Sequence, residues 1–155
     1  MRSLYGYVRV TALGLAAALG CIVAPIRTQA ELTGNLTVEI EGLRDSNGQV
    51  CLALFDSSQG FPDVDGNEVS AECVNVSGTD VVVTLDNLTV GNYAIALYHD
   101  SNSDAVLNTN RFGIPTEGFG FSNNPPISIG PASYQESMFL VAGNNTTIQI
   151  RLQYL

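Results

Sequence analysis

The sequence has very little positive charge: it contains no lysine, six arginines and a single histidine among 155 residues. Three of the arginines fall within the first thirty residues, whereas all fifteen acidic residues follow them. Residues 31–155 therefore combine three arginines with fifteen acids, a net charge of −12. Because so acidic a chain repels phosphate backbones and anionic lipid surfaces, nucleic-acid binding is excluded, and no membrane partner is expected without a lipid anchor.

Sustained helical periodicity is also absent after residue 30. Leu36, Val38 and Ile40 instead alternate with polar residues, which is the period of a half-buried strand. Two further runs, 49–55 and 93–98, are apolar on both faces and are predicted to be central strands. The other predicted strands are 72–76, 81–85, 137–142 and 146–154. Short strands separated by turn residues predict an all-β domain over residues 31–155, a single two-sheet sandwich of immunoglobulin-like or transthyretin-like type.

The first thirty residues have the pattern of a secretory signal peptide. Arg2 and Arg9 precede an uncharged apolar run over residues 10–23, and Thr28-Gln29-Ala30 places small residues at the −3 and −1 positions of a cleavage site. A membrane anchor is disfavoured because the run is shorter than the roughly 20 residues that cross a bilayer. The sequence therefore predicts a signal peptide over residues 1–30 and a secreted, periplasmic or cell-envelope protein.

The three cysteines divide between these two regions. Cys21 ends a loose match to a lipoprotein lipobox, which gives an alternative reading as a lipid-anchored structural envelope protein. We favour a Cys21 without a role, because Ala18 stands where the lipobox has leucine and apolar residues continue past the cysteine. The remaining pair, Cys51 and Cys73, predicts a disulfide in an exported chain.

Two sequence motifs resemble a known family. They are GNYAIALYHDSN at residues 91–102 and GIPTEGFGFS at residues 113–122. On these motifs the chain is identified as a member of the bacterial exported family called domain of unknown function 2141 (DUF2141), over about residues 36–154. The resemblance implies an exported β-sandwich and marks residues 99–131 as its signature loop; it implies no particular reaction.

The segment 99–131 is predicted to be one long irregular loop, rich in glycine and proline. Long loops in compact domains are usually functional or disordered. Phe112, Phe119 and Phe121 predict that this one packs on the sandwich. We therefore expect it to provide a binding or scaffolding surface for an unidentified protein or glycan.

A calcium site is one hypothesis for the beginning of this loop. Asp100, Asn102, Asp104 and Asn108 have the spacing of positions 1, 3, 5 and 9 in a calcium-binding turn. Position 6 is alanine where that turn has glycine, and position 12 is Arg111 where it has a bidentate glutamate. The alternative is an Asx-rich turn whose side chains cap their own backbone.

An enzyme is the second functional hypothesis. His99, Asp100 and Glu117 could serve a hydrolase as acid and base. Neighbouring strand residues point to opposite faces, however, so His99 and Asp100 are not expected to share a pocket. No serine stands in a nucleophile-elbow context either. The sequence thus favours a secreted, non-enzymatic module, and no catalytic residue is assigned.

Overall fold

The computed structural model describes residues 32–63, 66–126 and 130–155. The predicted signal peptide and Cys21 lie outside these residues. The described chain forms eight strands and one short helix: β1 (Thr33–Glu41), β2 (Gln49–Phe55), β3 (Ser70–Asn75), β4 (Val81–Thr89), β5 (Gly91–Asp100), β6 (Gly118–Phe121), α1 (Tyr134–Ser137), β7 (Phe139–Val141) and β8 (Asn145–Arg151). Within it, no helix is long and apolar enough to cross a bilayer.

The strands form two sheets. The first has the order β4-β1-β8, in which β1 runs antiparallel to β4 and parallel to β8. The second has the order β3-β2-β5-β6 with antiparallel neighbours throughout, and β7 pairs with the beginning of β5. The predicted all-β, two-sheet sandwich is confirmed.

The main core lies between the sheets and follows the alternation seen in the sequence. In β1, Leu36, Val38 and Ile40 are buried, and the residues between them are partly exposed. Burial of each such side chain contributes about 1.5–3 kcal/mol. Strands β2 and β5 of the second sheet contribute six residues to the same cluster: Val50, Leu52, Leu54, Tyr93, Ile95 and Leu97.

A smaller apolar cluster covers part of the outer face of the second sheet. Phe55 and Ala94 lie on that face of β2 and β5, and Tyr134 from α1 packs on them together with the half-buried Phe61. The Phe61 ring centroid lies 5.3 Å from that of Phe55 and 5.9 Å from that of Tyr134. This second layer explains why β2 and β5 are apolar on both faces, as their sequences predicted.

The predicted disulfide between Cys51 and Cys73 is present. The two residues are directly opposed in the antiparallel pairing of β2 and β3, with their Cα atoms 4.0 Å apart. Closing a loop with a sequence separation of 22 contributes about 3 kcal/mol by the chain-entropy estimate. The bond therefore fixes the edge strand β3, and with it the border of the outer sheet face.

Four elements differ from the sequence prediction. Strand β4 extends from the predicted 81–85 to Thr89, and β8 ends at Arg151 instead of residue 154. Strand β6 lies inside the segment expected to be irregular, and the predicted strand 137–142 is shortened to β7 because α1 precedes it. In β6, a Cβ atom on Gly120 would lie 2.9 Å from Cγ2 of Ile150, and one on Gly118 would overlap the Tyr154 ring. The glycines thus permit a close approach to the C-terminal segment. Helix α1 begins with a capping box between Ser133 and Glu136.

Candidate functional site

The outer face of the second sheet carries two ordered rows of side chains. The strand register places Tyr98 beside Cys51 on one flank and Phe119 on the other, with Cys73 beyond Cys51. The next row is made of three alanines and one aromatic residue: Ala71, Ala53, Ala96 and Phe121. Because alanine side chains are short, this row leaves space above the sheet that larger residues would fill.

A cleft of about 780 Å³ lies over these rows. Residues 105–107 and Pro115 line it from the loop that follows β5. Pro62, Asp63 and Pro131 contribute to the lining from other segments of the chain. The volume falls within the range of small-molecule sites, which are mostly apolar with few polar groups.

Asp100, the last residue of β5, fixes the start of the loop. Its carboxylate is fully buried; Oδ2 accepts hydrogen bonds from Nε2 of Gln49 and from the backbone N–H of Ala105, both at 2.8 Å. Oδ1 accepts from the backbone N–H of Asp104 at 3.1 Å. Burial alone would raise the pKa of this carboxyl, but the hydrogen bonds outweigh it and lower the pKa. Asp100 is therefore an ionised anchor for the backbone.

Glu117 holds two distant parts of the loop together. Its Oε1 accepts from the backbone N–H of Ser101 at 3.0 Å and from the Ser101 hydroxyl at 3.2 Å. Its Oε2 accepts from the backbone N–H of Asn108 at 2.8 Å. Glu117 is buried, so these charge-assisted bonds are shielded from water. Together with Asp100 it fixes the loop wall of the cleft.

The remaining residues of the calcium hypothesis bind one another through hydrogen bonds. Nδ2 of Asn102 and Nδ2 of Asn108 donate to Oδ2 of Asp104, at 2.8 and 3.1 Å. Oδ1 of Asp104 accepts from the backbone N–H of Val106 at 2.9 Å. The hydrogen bonds from the two amides are the main reason that the pKa of Asp104 is lowered.

This arrangement has the geometry of the self-capped turn. Ser103 and Ala105 adopt positive φ angles, and the amide N–H groups rather than the amide oxygens face Asp104. A cation at this turn would replace the hydrogen bonds that the two amides donate to the Asp104 carboxylate. Among the described residues, no group of three histidine, cysteine or acidic side chains is placed to hold a metal ion. Calcium binding stays a prediction.

His99 lies on the core face of β5, opposite to Asp100. Its Nε2 lies 2.8 Å from the carbonyl oxygen of Asn47 and its Nδ1 lies 3.0 Å from the hydroxyl of Tyr154. Since a carbonyl only accepts, Nε2 donates to it, and in the neutral ring Nδ1 accepts from the hydroxyl. That hydroxyl in turn accepts from the backbone N–H of Arg44 at 3.1 Å. Both ring nitrogens are thus engaged in joining three segments, and no hydrogen bond links His99 to Asp100 or Glu117.

The tip of the loop differs from the sequence expectation. Phe112 was predicted to pack on the sandwich, but 72% of it is exposed, and Ile114 is 44% exposed. Oδ1 of Asn110 accepts from the backbone N–H groups of both residues, which holds the tip in a tight turn. The local hydrogen bonds, rather than contacts with the sheet, order this part of the loop. Phe119 and Phe121 do lie against the sheet, as part of β6.

Sequence reasoning did not identify the cleft residues Tyr98, Ala53 and Ala96. The available signal was the pattern YAIALY, in which small Ala94 and Ala96 alternate with large core residues. Small residues on one face of a central strand indicate that something else occupies the space above them.

The fold and the loop together define an all-β sandwich with a cleft on the outer face of one sheet. The family described as an uncharacterized protein conserved in bacteria, DUF2141, matches residues 38–149. The chain belongs to this family, as the two motifs indicated. Searches among curated proteins and among solved structures gave no match.

Proposed function

We propose that this chain is an exported, non-enzymatic binding module whose ligand site is the cleft on the outer face of the second sheet. The observation that carries the proposal is a space of about 780 Å³ above a floor of alanines, bordered by aromatic side chains. Apolar surface of this kind is costly to leave in contact with water, and a ligand that covers it gains the corresponding free energy.

The hydrogen bonds that hold the loop wall support a preformed binding site over a loop that becomes ordered only when a partner binds. Asp100 and Glu117 each accept at least three hydrogen bonds from the segments that they join. A wall fixed before the ligand arrives does not lose conformational entropy on binding. Asp100 and Glu117 both lie in the two family motifs. A structural role in the loop explains their presence there without requiring that family members catalyse the same reaction.

Export is supported by the signal-like segment 1–30 and by the disulfide. Disulfides persist in oxidising compartments and are rare in the bacterial cytosol. His99 is 2% exposed and is not among the described residues that line the cleft, which favours a non-enzymatic role over hydrolysis, because a general base must be within hydrogen-bond reach of its substrate.

A neutral fluorescent probe tests the proposal. The purified protein should enhance the fluorescence of 1-N-phenylnaphthylamine, which is bright only in apolar surroundings. Ala96→Phe, which places a ring in the cleft, should weaken probe binding at least about tenfold by filling the space. Val82→Phe is the matched control, because Val82 is 63% exposed on β4 of the other sheet.

Melting curves of both variants show whether each is folded. Absence of probe binding to the wild-type protein, or equal binding by Ala96→Phe and Val82→Phe, would contradict the proposal.

A further inference from the structure

We propose that the cleft selects small molecules that join an apolar body to a positively charged ammonium group. This inference rests on the proposed function and specifies its ligand class. It is carried by the sign of the charges around the cleft and by the aromatic rings along it.

No basic residue is among the described residues that line the cleft. Two acids are, Asp63 and Glu72. Glu72 pairs with the core residue Leu52, so its side chain points away from the cleft, to the opposite face of β3. Asp63 lies at the border of the cleft. The loop's one cation, Arg111, lies over the ring of Phe112 at 4.7 Å, on the exposed tip. An anionic ligand would therefore find no partner for its charge.

Aromatic side chains offer the complementary surface. Tyr98 and Phe119 are opposed on neighbouring strands, and the rings of Phe119 and Phe121 lie 6.0 Å apart at an angle of 67°. All three line the cleft and are half-buried. The faces of such rings carry partial negative charge and attract ammonium groups, more strongly where water is excluded.

The electrostatic environment of Tyr98 also favours a positively charged ligand. Burial, and then the negative charges of Asp100, Asp104 and Glu117, raise the pKa of its phenol. The same carboxylates would favour a cation beside the ring. Asp100 and Glu117 are already occupied by hydrogen bonds to the loop, so their effect on a ligand is through their charge, without direct contact.

Competition against the neutral probe tests the selectivity. Three soluble benzyl compounds that differ in charge are added to the protein with bound 1-N-phenylnaphthylamine: benzyltrimethylammonium, benzyl alcohol and phenylacetate. We expect the cation to displace the probe at a concentration about tenfold lower than either of the other two. Added salt should reduce this advantage, because it screens charges.

Tyr98 variants separate ring electrostatics from shape. Tyr98→Leu should weaken binding of the cation about fivefold and leave the affinity for the neutral probe within about twofold. Tyr98→Phe keeps the ring face and should retain the affinity for the cation.

Each outcome has a distinct meaning. If the probe binds in the cleft but the three compounds displace it equally, the ammonium inference is wrong and the binding module stands. If phenylacetate displaces the probe best, the cleft prefers a negatively charged ligand and the ammonium inference is wrong. If the probe does not bind at all, the proposed function itself fails.

Discussion

Replacing the buried Asp100 by asparagine should destabilise the fold by about 3–5 kcal/mol. The asparagine oxygen can keep the bonds from Gln49 and Ala105, which lose the strengthening that the negative charge gives. Its NH₂ group then faces the backbone N–H of Asp104, which keeps Oδ1 of Asn102 as a second acceptor, so the buried donor without an acceptor is the new NH₂ group. Two weakened bonds at about 1 kcal/mol each and one unsatisfied donor at about 1–3 kcal/mol give the estimate.

Urea unfolding of Asp100→Asn measures this loss. Asp80→Asn is the matched control, since Asp80 is exposed and without a hydrogen-bond partner among the described residues; it should stay within about 0.5 kcal/mol of the wild type. A free energy of unfolding for Asp100→Asn within that same margin would refute the role of this carboxylate as the anchor of the loop.

The pH dependence of stability provides a second readout of the same variant. The pKa of Asp100 is lowered in the folded state from its ordinary value of 3.8. Its stabilisation is therefore complete above the ordinary value and is lost as the pH falls through the folded value. The wild-type protein should lose stability faster than Asp100→Asn below about pH 4. Parallel curves for the two proteins would show that this carboxyl does not contribute.

Three further predictions concern the disulfide, calcium and processing. Cys51→Ala should lower stability by about 2–4 kcal/mol, and non-reducing peptide mapping should recover Cys51 linked to Cys73; free thiols in the exported protein would contradict this. If the loop is a self-capped turn, millimolar calcium leaves the melting temperature unchanged, whereas a rise that Asp104→Asn abolishes would establish the calcium site. Mass spectrometry of the exported protein should find Glu31 as the first residue, and a diacylglyceryl mass on Cys21 would instead establish the lipoprotein.

The strands with clear alternation, and those that are apolar on both faces, could be predicted from the sequence alone. Strand β2 has the predicted bounds, and its two-sided burial correctly indicated a central position. Strand β6 was missed because its sequence, GFGF, has no strand-like composition of its own. It forms because Gly118 and Gly120 allow β6 to lie close to Tyr154 and Ile150, and this close approach depends on tertiary contacts.

The candidate site was only partly predictable. The opposite orientation of His99 and Asp100 followed from strand geometry. The sequence named Glu117 only as an acid–base candidate, and its hydrogen bonds to Ser101 and Asn108 were not predicted. The cleft itself depends on which residue of β2 lies beside which residue of β5 and β6. That register places Ala53, Ala96 and Phe121 in one row, although they are far apart in sequence. Periodicity within a single strand can show small residues on one face, as in YAIALY, but it does not show which residues of the neighbouring strands lie beside them.

The location of a bound apolar ligand tests the central proposal most directly. Protein with ¹³C-labelled alanine methyl groups can be titrated with 1-N-phenylnaphthylamine and followed by NMR. We predict that the methyl signals of Ala53, Ala71 and Ala96 shift with saturation, while that of the exposed Ala142, at the end of β7, does not. Unchanged cleft signals, or shifts confined to alanines outside the cleft, would contradict a binding site on the outer face of the second sheet.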